Sequence, residues 1–155
     1  MGWCYMTKLE LVEKWFKRAQ SDLITAFHMY EDVYPKELNI SCYHSQQAVE
    51  KALKAYLLFQ DVEPPYTHDL RMLCQLCIKC DAAFSEYLDD CDDLTGYATI
   101  TRYPDDFEAT EQETHQAIDK AFEIYDSVLD LIPGVNEQLR FPKPVEDESQ
   151  GMQMQ

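Results

Sequence analysis

The sequence predicts an all-α fold, an up-and-down antiparallel bundle of four to five helices. Three observations carry that expectation. Apolar side chains recur at alternating steps of three and four, the seam of bundle helices. Only four glycines occur in 155 residues, and the alternating polar and apolar runs that mark strands are few. Alanines also fall inside the apolar stripes, where they favour helix and let a neighbouring helix come close.

The first helix is expected over residues 8–31. Leu9, Val12, Phe16, Ala19, Leu23, Ala26 and Tyr30 form its seam, and Trp15 and Phe27 widen it. Lys14, Lys17 and Arg18 make a basic spot near its start. Asp22 precedes the core position Leu23 and is expected to be a solvated carboxylate. Tyr34-Pro35 ends this helix or links it to the next.

The second helix, about residues 37–60, holds the best amphipathic stretch of the chain, residues 42–59. Ala48, Val49, Ala52, Leu53, Ala55, Tyr56 and Phe59 share one broad apolar face. Glu50 precedes Lys54 by four residues, the favoured order for a surface pair. His44, Gln47 and Lys51 lie along the seam between the two faces. On helix geometry alone they read as a solvated edge.

A rigid loop follows at Val62-Glu63-Pro64-Pro65-Tyr66. Thr67 is the expected N-cap of a third helix over 68–80, with Asp69 in its first turn and His68 shaping the turn. Cys74, Cys77 and Cys80 have metal-like spacing, but Leu70, Leu73, Cys74 and Cys77 read as the buried stripe of a helix. Free, metal-free thiols are therefore expected. The fourth helix is expected at 83–99, with an acidic outer face of Asp89, Asp90, Asp92 and Asp93 that reads as solvated. The last helix, about 110–132, is stopped by Pro133-Gly134. Residues 1–134 are expected to form one domain and 135–155 a loose acidic tail.

The formal net charge is −16. Residues 1–60 carry seven basic and seven acidic side chains, and residues 61–155 carry six against 22. Such a chain is a poor general binder of phosphate backbones, so any nucleic-acid contact must use a local cluster in the neutral half. No segment reads as a signal peptide or as a membrane span of roughly 20 apolar residues. A cytoplasmic protein with reduced cysteines and no membrane partner is expected.

Three pieces carry a family resemblance. They are Tyr43-His44-Ser45-Gln46-Gln47-Ala48-Val49-Glu50-Lys51-Ala52-Leu53-Lys54-Ala55, then Thr67-His68-Asp69-Leu70, then Thr101-Arg102-Tyr103-Pro104-Asp105. In this order and spacing, with Ala19, Asp22-Leu23 and Ala26 before them, the sequence resembles the prokaryotic HEPN domain over residues 9 to 132. The first block is the specific one.

The resemblance implies a helical bundle, often a homodimer, whose cleft binds a nucleotide or RNA. Many members are ribonucleases of toxin–antitoxin or phage-defence systems, often beside a small nucleotidyltransferase. Their catalytic signature is an arginine followed, after four to six residues, by histidine. Here Arg102 is followed at those positions by Phe107, Glu108 and Ala109, and the next histidine is His115. Metal-free RNA cleavage needs groups that move protons and a cation that steadies the phosphorane. Arg102 supplies only the cation. Binding needs less, and a site of His44, Gln47, Lys51, Arg102, Tyr103 and Asp105 is expected, with His44, Lys51 and Arg102 facing one cleft. No metal and no cofactor are expected. Two alternatives stand beside this reading: a metal-independent ribonuclease using His44 or His68, and a pure protein-interaction module.

Overall fold

The computed structural model describes residues 6–101 and 107–141, and they form an all-helical bundle with no strand among them. Five α-helices follow one another: α1 (Lys8–Glu31), α2 (Leu38–Phe59), α3 (Leu70–Cys80), α4 (Leu88–Thr95) and α5 (Glu111–Asp130). No helix among the described residues is long and apolar enough to cross a membrane.

Helix α1 starts in a capping box. Thr7 Oγ1 accepts from the Glu10 amide, and Glu10 reaches back to the Thr7 amide, each at 3.1 Å. Val12, Phe16, Ala19, Leu23 and Ala26 are fully buried, as the heptad spacing requires. Phe27 does not widen that face; it is 42% exposed. Helix α2 is central and packs on α1, α3, α4 and α5. Its small residues let α1 approach: Ser41 donates to the Ala26 carbonyl at 2.6 Å, and Ala48, Ala52 and Ala55 are completely buried.

Helix α2 ends in a Schellman closure. The Val62 amide donates to the Leu57 carbonyl at 2.9 Å and the Asp61 amide to the Leu58 carbonyl at 3.1 Å. Asp61 takes the left-handed position usually held by glycine, with φ 59°. This reversal sends residues 62–66 back along the start of α1. Lys8 meets Asp61 there at 3.4 Å.

The N-cap of α3 is Asp69, which accepts from the Met72 amide at 3.2 Å. Thr67, two residues before, accepts from the Asp69 amide instead. Leu70, Leu73, Cys74 and Cys77 are buried and Cys80 is exposed, so the three closely spaced thiols diverge.

The helix expected over 83–99 is divided. A 3-10 segment, Ala82–Tyr87, leads into the short α4, and a second, Gly96–Thr99, follows it. Four aspartates and a glycine in this stretch disfavour a continuous α-helix. Phe84, Cys91, Leu94 and Ala98 still point inward.

Helix α5 has a second capping box, Thr110 with Glu113. Beyond it the chain departs from the expected tail. Residues 135–141 fold back onto the bundle, with Val135 and Leu139 buried and Phe141 edge-on to Phe122 at 4.9 Å between centroids. Tyr125 Oη donates to the Leu139 carbonyl at 2.6 Å, and Gln20 donates to the Gln138 carbonyl at 3.2 Å. Apolar residues in an acidic segment find cover on α1 and α5.

Candidate functional site

The polar face of α2 faces two walls of the protein rather than open water. One wall is α1. Asp22 is only 8% exposed, which corrects the expectation of a solvated carboxylate. His44 Nδ1 lies 2.8 Å from Asp22 Oδ1, and Lys51 Nζ pairs with Asp22 Oδ2. A carboxylate only accepts, so His44 donates to it through Nδ1. His44 and Lys51 stand two turns apart on α2, and Asp22 spans the gap between them.

The second wall is the turn before α3. His68 Nδ1 lies 2.6 Å from Glu50 Oε1, and Lys54 Nζ is 4.0 Å from Glu50 Oε2. Glu50 is 4% exposed and Lys54 8%, so the expected surface pair is a buried one. Gln46, completely buried, donates to the His68 carbonyl at 3.0 Å and accepts from Gln47 Nε2 at 2.6 Å. Gln47 is thereby tied to the second cluster and His44 and Lys51 to the first. A helical wheel ranks the six polar positions of α2 by angle, but it cannot show that α1 and the 66–69 turn close over them.

Beside these clusters is a cavity of about 390 Å³ between α1 and α2. Lys14, Trp15 and Arg18 line it from α1, and Glu50, Lys51 and Lys54 from α2. Lys51 and Lys54 are matched by Asp22 and Glu50. Lys14 and Arg18 pair with no carboxylate among the described residues. The cavity therefore keeps a positive surplus on a chain of net charge −16. The basic spot of α1 was visible in the sequence; its convergence with Lys51 and Lys54 was not.

Arg102, Tyr103 and Asp105 lie outside the described residues. The segment before α5 is held by α2: Asn39 donates to the Phe107 carbonyl at 3.1 Å and accepts from the Ala109 amide at 2.9 Å. His115 is exposed on α5, 3.2 Å from Asp119 and edge-on to Tyr30.

No curated protein and no solved structure matches the chain. The family model for the HEPN domain matches residues 12–131, from the second turn of α1 to the end of α5 and with both clusters on α2. With most of its length so matched and an all-helical bundle to fit, the chain belongs to the HEPN domain family.

Proposed function

We propose that the protein is a HEPN module that binds a nucleotide or RNA on the α1–α2 face. It works as a cytoplasmic homodimer in a toxin–antitoxin or defence system with a nucleotidyltransferase partner. One observation carries the reading: Lys14, Arg18, Lys51 and Lys54 converge on one cavity beside Trp15. Cations gathered against the net charge of a chain suit an anionic ligand, and an aromatic ring among them suits a base. His44 and Gln47 border the same helix face, and Arg102, Tyr103 and Asp105 are proposed as further ligand-binding residues. The test is equilibrium binding of nucleotides and of single-stranded RNA to the purified protein, between about 50 and 200 mM salt. Binding that weakens with salt and with Arg18→Ala is expected. No binding of either ligand at low salt rejects the reading.

A second reading, a metal-independent ribonuclease, is favoured by the two histidine–carboxylate pairs. Asp22 and Glu50 each hold an imidazole by Nδ1, which leaves Nε2 of His44 and His68 for proton transfer. RNA digestion in EDTA, lost in both His44→Ala and His68→Ala, is its signature. Intact RNA after long incubation with the wild-type protein rejects it.

A further inference from the structure

Two buried cysteines meet across the seam between α3 and α4. The Leu70 amide, at the start of α3, donates to Thr95 Oγ1, at the end of α4, at 3.1 Å. Arg71 Nη1 lies 3.4 Å from Asp92 Oδ2. These contacts set the two helices antiparallel and fix their register. One turn into α3 from Leu70 stands Cys74, and one turn back along α4 from Thr95 stands Cys91. Thr95 Oγ1 also donates to the Cys91 carbonyl at 2.8 Å, which ties the turn that carries Cys91 to the same contact. Both cysteines are fully buried, and their thiols hydrogen-bond each other. The other described thiols are committed elsewhere. Cys77 donates to the Leu53 carbonyl of α2 at 3.8 Å, Cys42 donates to Thr114 at 3.4 Å, and Cys80 is exposed.

We propose that Cys74 and Cys91 form a reversible disulfide when the protein meets a peroxide, a staple between α3 and α4. The Cys74 thiol donates to the Phe84 carbonyl at 3.3 Å, so its sulfur is left to accept from Cys91. That hydrogen bond, with Arg71 nearby, holds Cys74 below the ordinary thiol range despite its burial, which makes it the attacking sulfur. The Cys74 thiolate attacks one oxygen of hydrogen peroxide. The O–O bond breaks, and the departing hydroxide takes up the proton that Cys74 gave up, forming water. Cys74 is now a sulfenic acid. The Cys91 sulfur then attacks the Cys74 sulfur, the S–O bond breaks, and the hydroxyl leaves with the Cys91 proton as a second water. The thiol pair is oxidised by two electrons, and one peroxide is reduced to two waters. A dithiol reverses the bond by exchange. Hydrogen peroxide is close to water in size. Helix α4 is eight residues long with 3-10 turns at both ends, so a brief local opening admits the peroxide while the rest of the bundle stays folded. No residue of this seam lines the α1–α2 cavity, and the proposal is independent of the function proposed above.

The test treats the reduced full chain with hydrogen peroxide, removes the excess, and unfolds the protein in an alkylating reagent. Mass spectrometry then maps the peptides without reductant. A cross-linked peptide joining positions 74 and 91 is expected, and dithiothreitol should abolish it. The melting temperature of the oxidised chain should rise by about 6–12 °C, the effect of closing a loop of this length, and return on reduction. Cys91→Ala should lose the cross-link and leave Cys74 as a sulfenic acid that dimedone traps, whereas Cys80→Ser should keep the cross-link. The wild-type map decides alone if Cys91→Ala fails to fold. Recovery of Cys74 and Cys91 as alkylated thiols after peroxide treatment overturns the proposal. So does a disulfide that joins either of them to another cysteine, and so does a cross-link that leaves the melting temperature unchanged.

Discussion

Replacing Asp22 by alanine removes the acceptor that His44 and Lys51 share. Two limits bound the cost. Breaking a fully buried ion pair costs about 3–5 kcal/mol, and an exposed pair contributes about 0–1 kcal/mol. The Asp22 side chain is 10% exposed, while His44 and Lys51 are 27% and 23% exposed. The carboxylate belongs to the buried class, but both partners retain a path to water. Once released they can turn outward, which limits the loss to about 2 kcal/mol. For a domain of this size that corresponds to a fall in melting temperature of about 4–8 °C. Urea unfolding followed by circular dichroism measures it, and an unchanged denaturant slope would place the effect on the folded state. Asp22→Asn should fall between, because its amide oxygen keeps one acceptor. A cycle with Lys51→Ala should show coupling of about 1–2 kcal/mol. A loss for Asp22→Ala below about 0.5 kcal/mol, the range of plain surface changes, together with no coupling, would refute the buried cluster.

Three further outcomes are expected. Leu139→Ala should destabilise the fold by about 2–3 kcal/mol, since it opens a cavity over Tyr125, and Tyr125→Phe by about 1–2 kcal/mol; chemical denaturation shows both, and silence from both would return residues 135–141 to an unpacked tail. A thiol reagent at mildly alkaline pH should label Cys80 quickly in the native protein and reach Cys42, Cys77 and Cys91 only on unfolding, because all three are covered, burial pushes the Cys42 and Cys77 thiols up, and the hydrogen bond with Cys74, with burial, pushes Cys91 up; mass spectrometry of the labelled peptides reads the order, and fast labelling of Cys77 would contradict the packing. Burial pushes the Tyr97 phenol up to about 12 from 10.0. The neutral ring is favoured in the fold, so its contribution is whole below pH 10 and is lost as pH rises towards 12; Tyr97→Phe should flatten that part of the stability profile, and an identical decline in both proteins would count against it.

The bundle was largely legible because heptad spacing reports directly which face of a helix is buried. Leu9 to Tyr30 and Ile118 to Ile132 gave α1 and α5 to within two residues at each end. The division of residues 82–99 was less visible, since an inward stripe persists through 3-10 turns as it does through an α-helix. The site was legible only in part. His44 and Lys51 stand out from their spacing, and the structure does join them, on Asp22. The partner was missed because a wheel describes one helix, whereas burial of Asp22 and Glu50 is decided by what another segment lays over them. His68 shows the same limit: 18 positions from Glu50, it reaches it only through the turn before α3. The path of residues 62–66 depends on one left-handed residue, Asp61, and nothing in the Val-Glu-Pro-Pro-Tyr string says which way the chain leaves α2.

The Asp22 cluster also settles an alignment that apolar packing leaves open. Along the α1–α2 contact, alanines and leucines follow one another at similar intervals. Sliding α1 by one turn, about 5.4 Å, would set methyl groups against methyl groups much as before. It would also take Asp22 away from one of its two partners, His44 or Lys51, and leave that group unmatched between the helices. A polar group of modest net worth thereby acts as a ratchet tooth. The hairpin can close at many offsets but rests at one, and that offset is the one that brings Lys14 and Arg18 opposite Lys51 and Lys54.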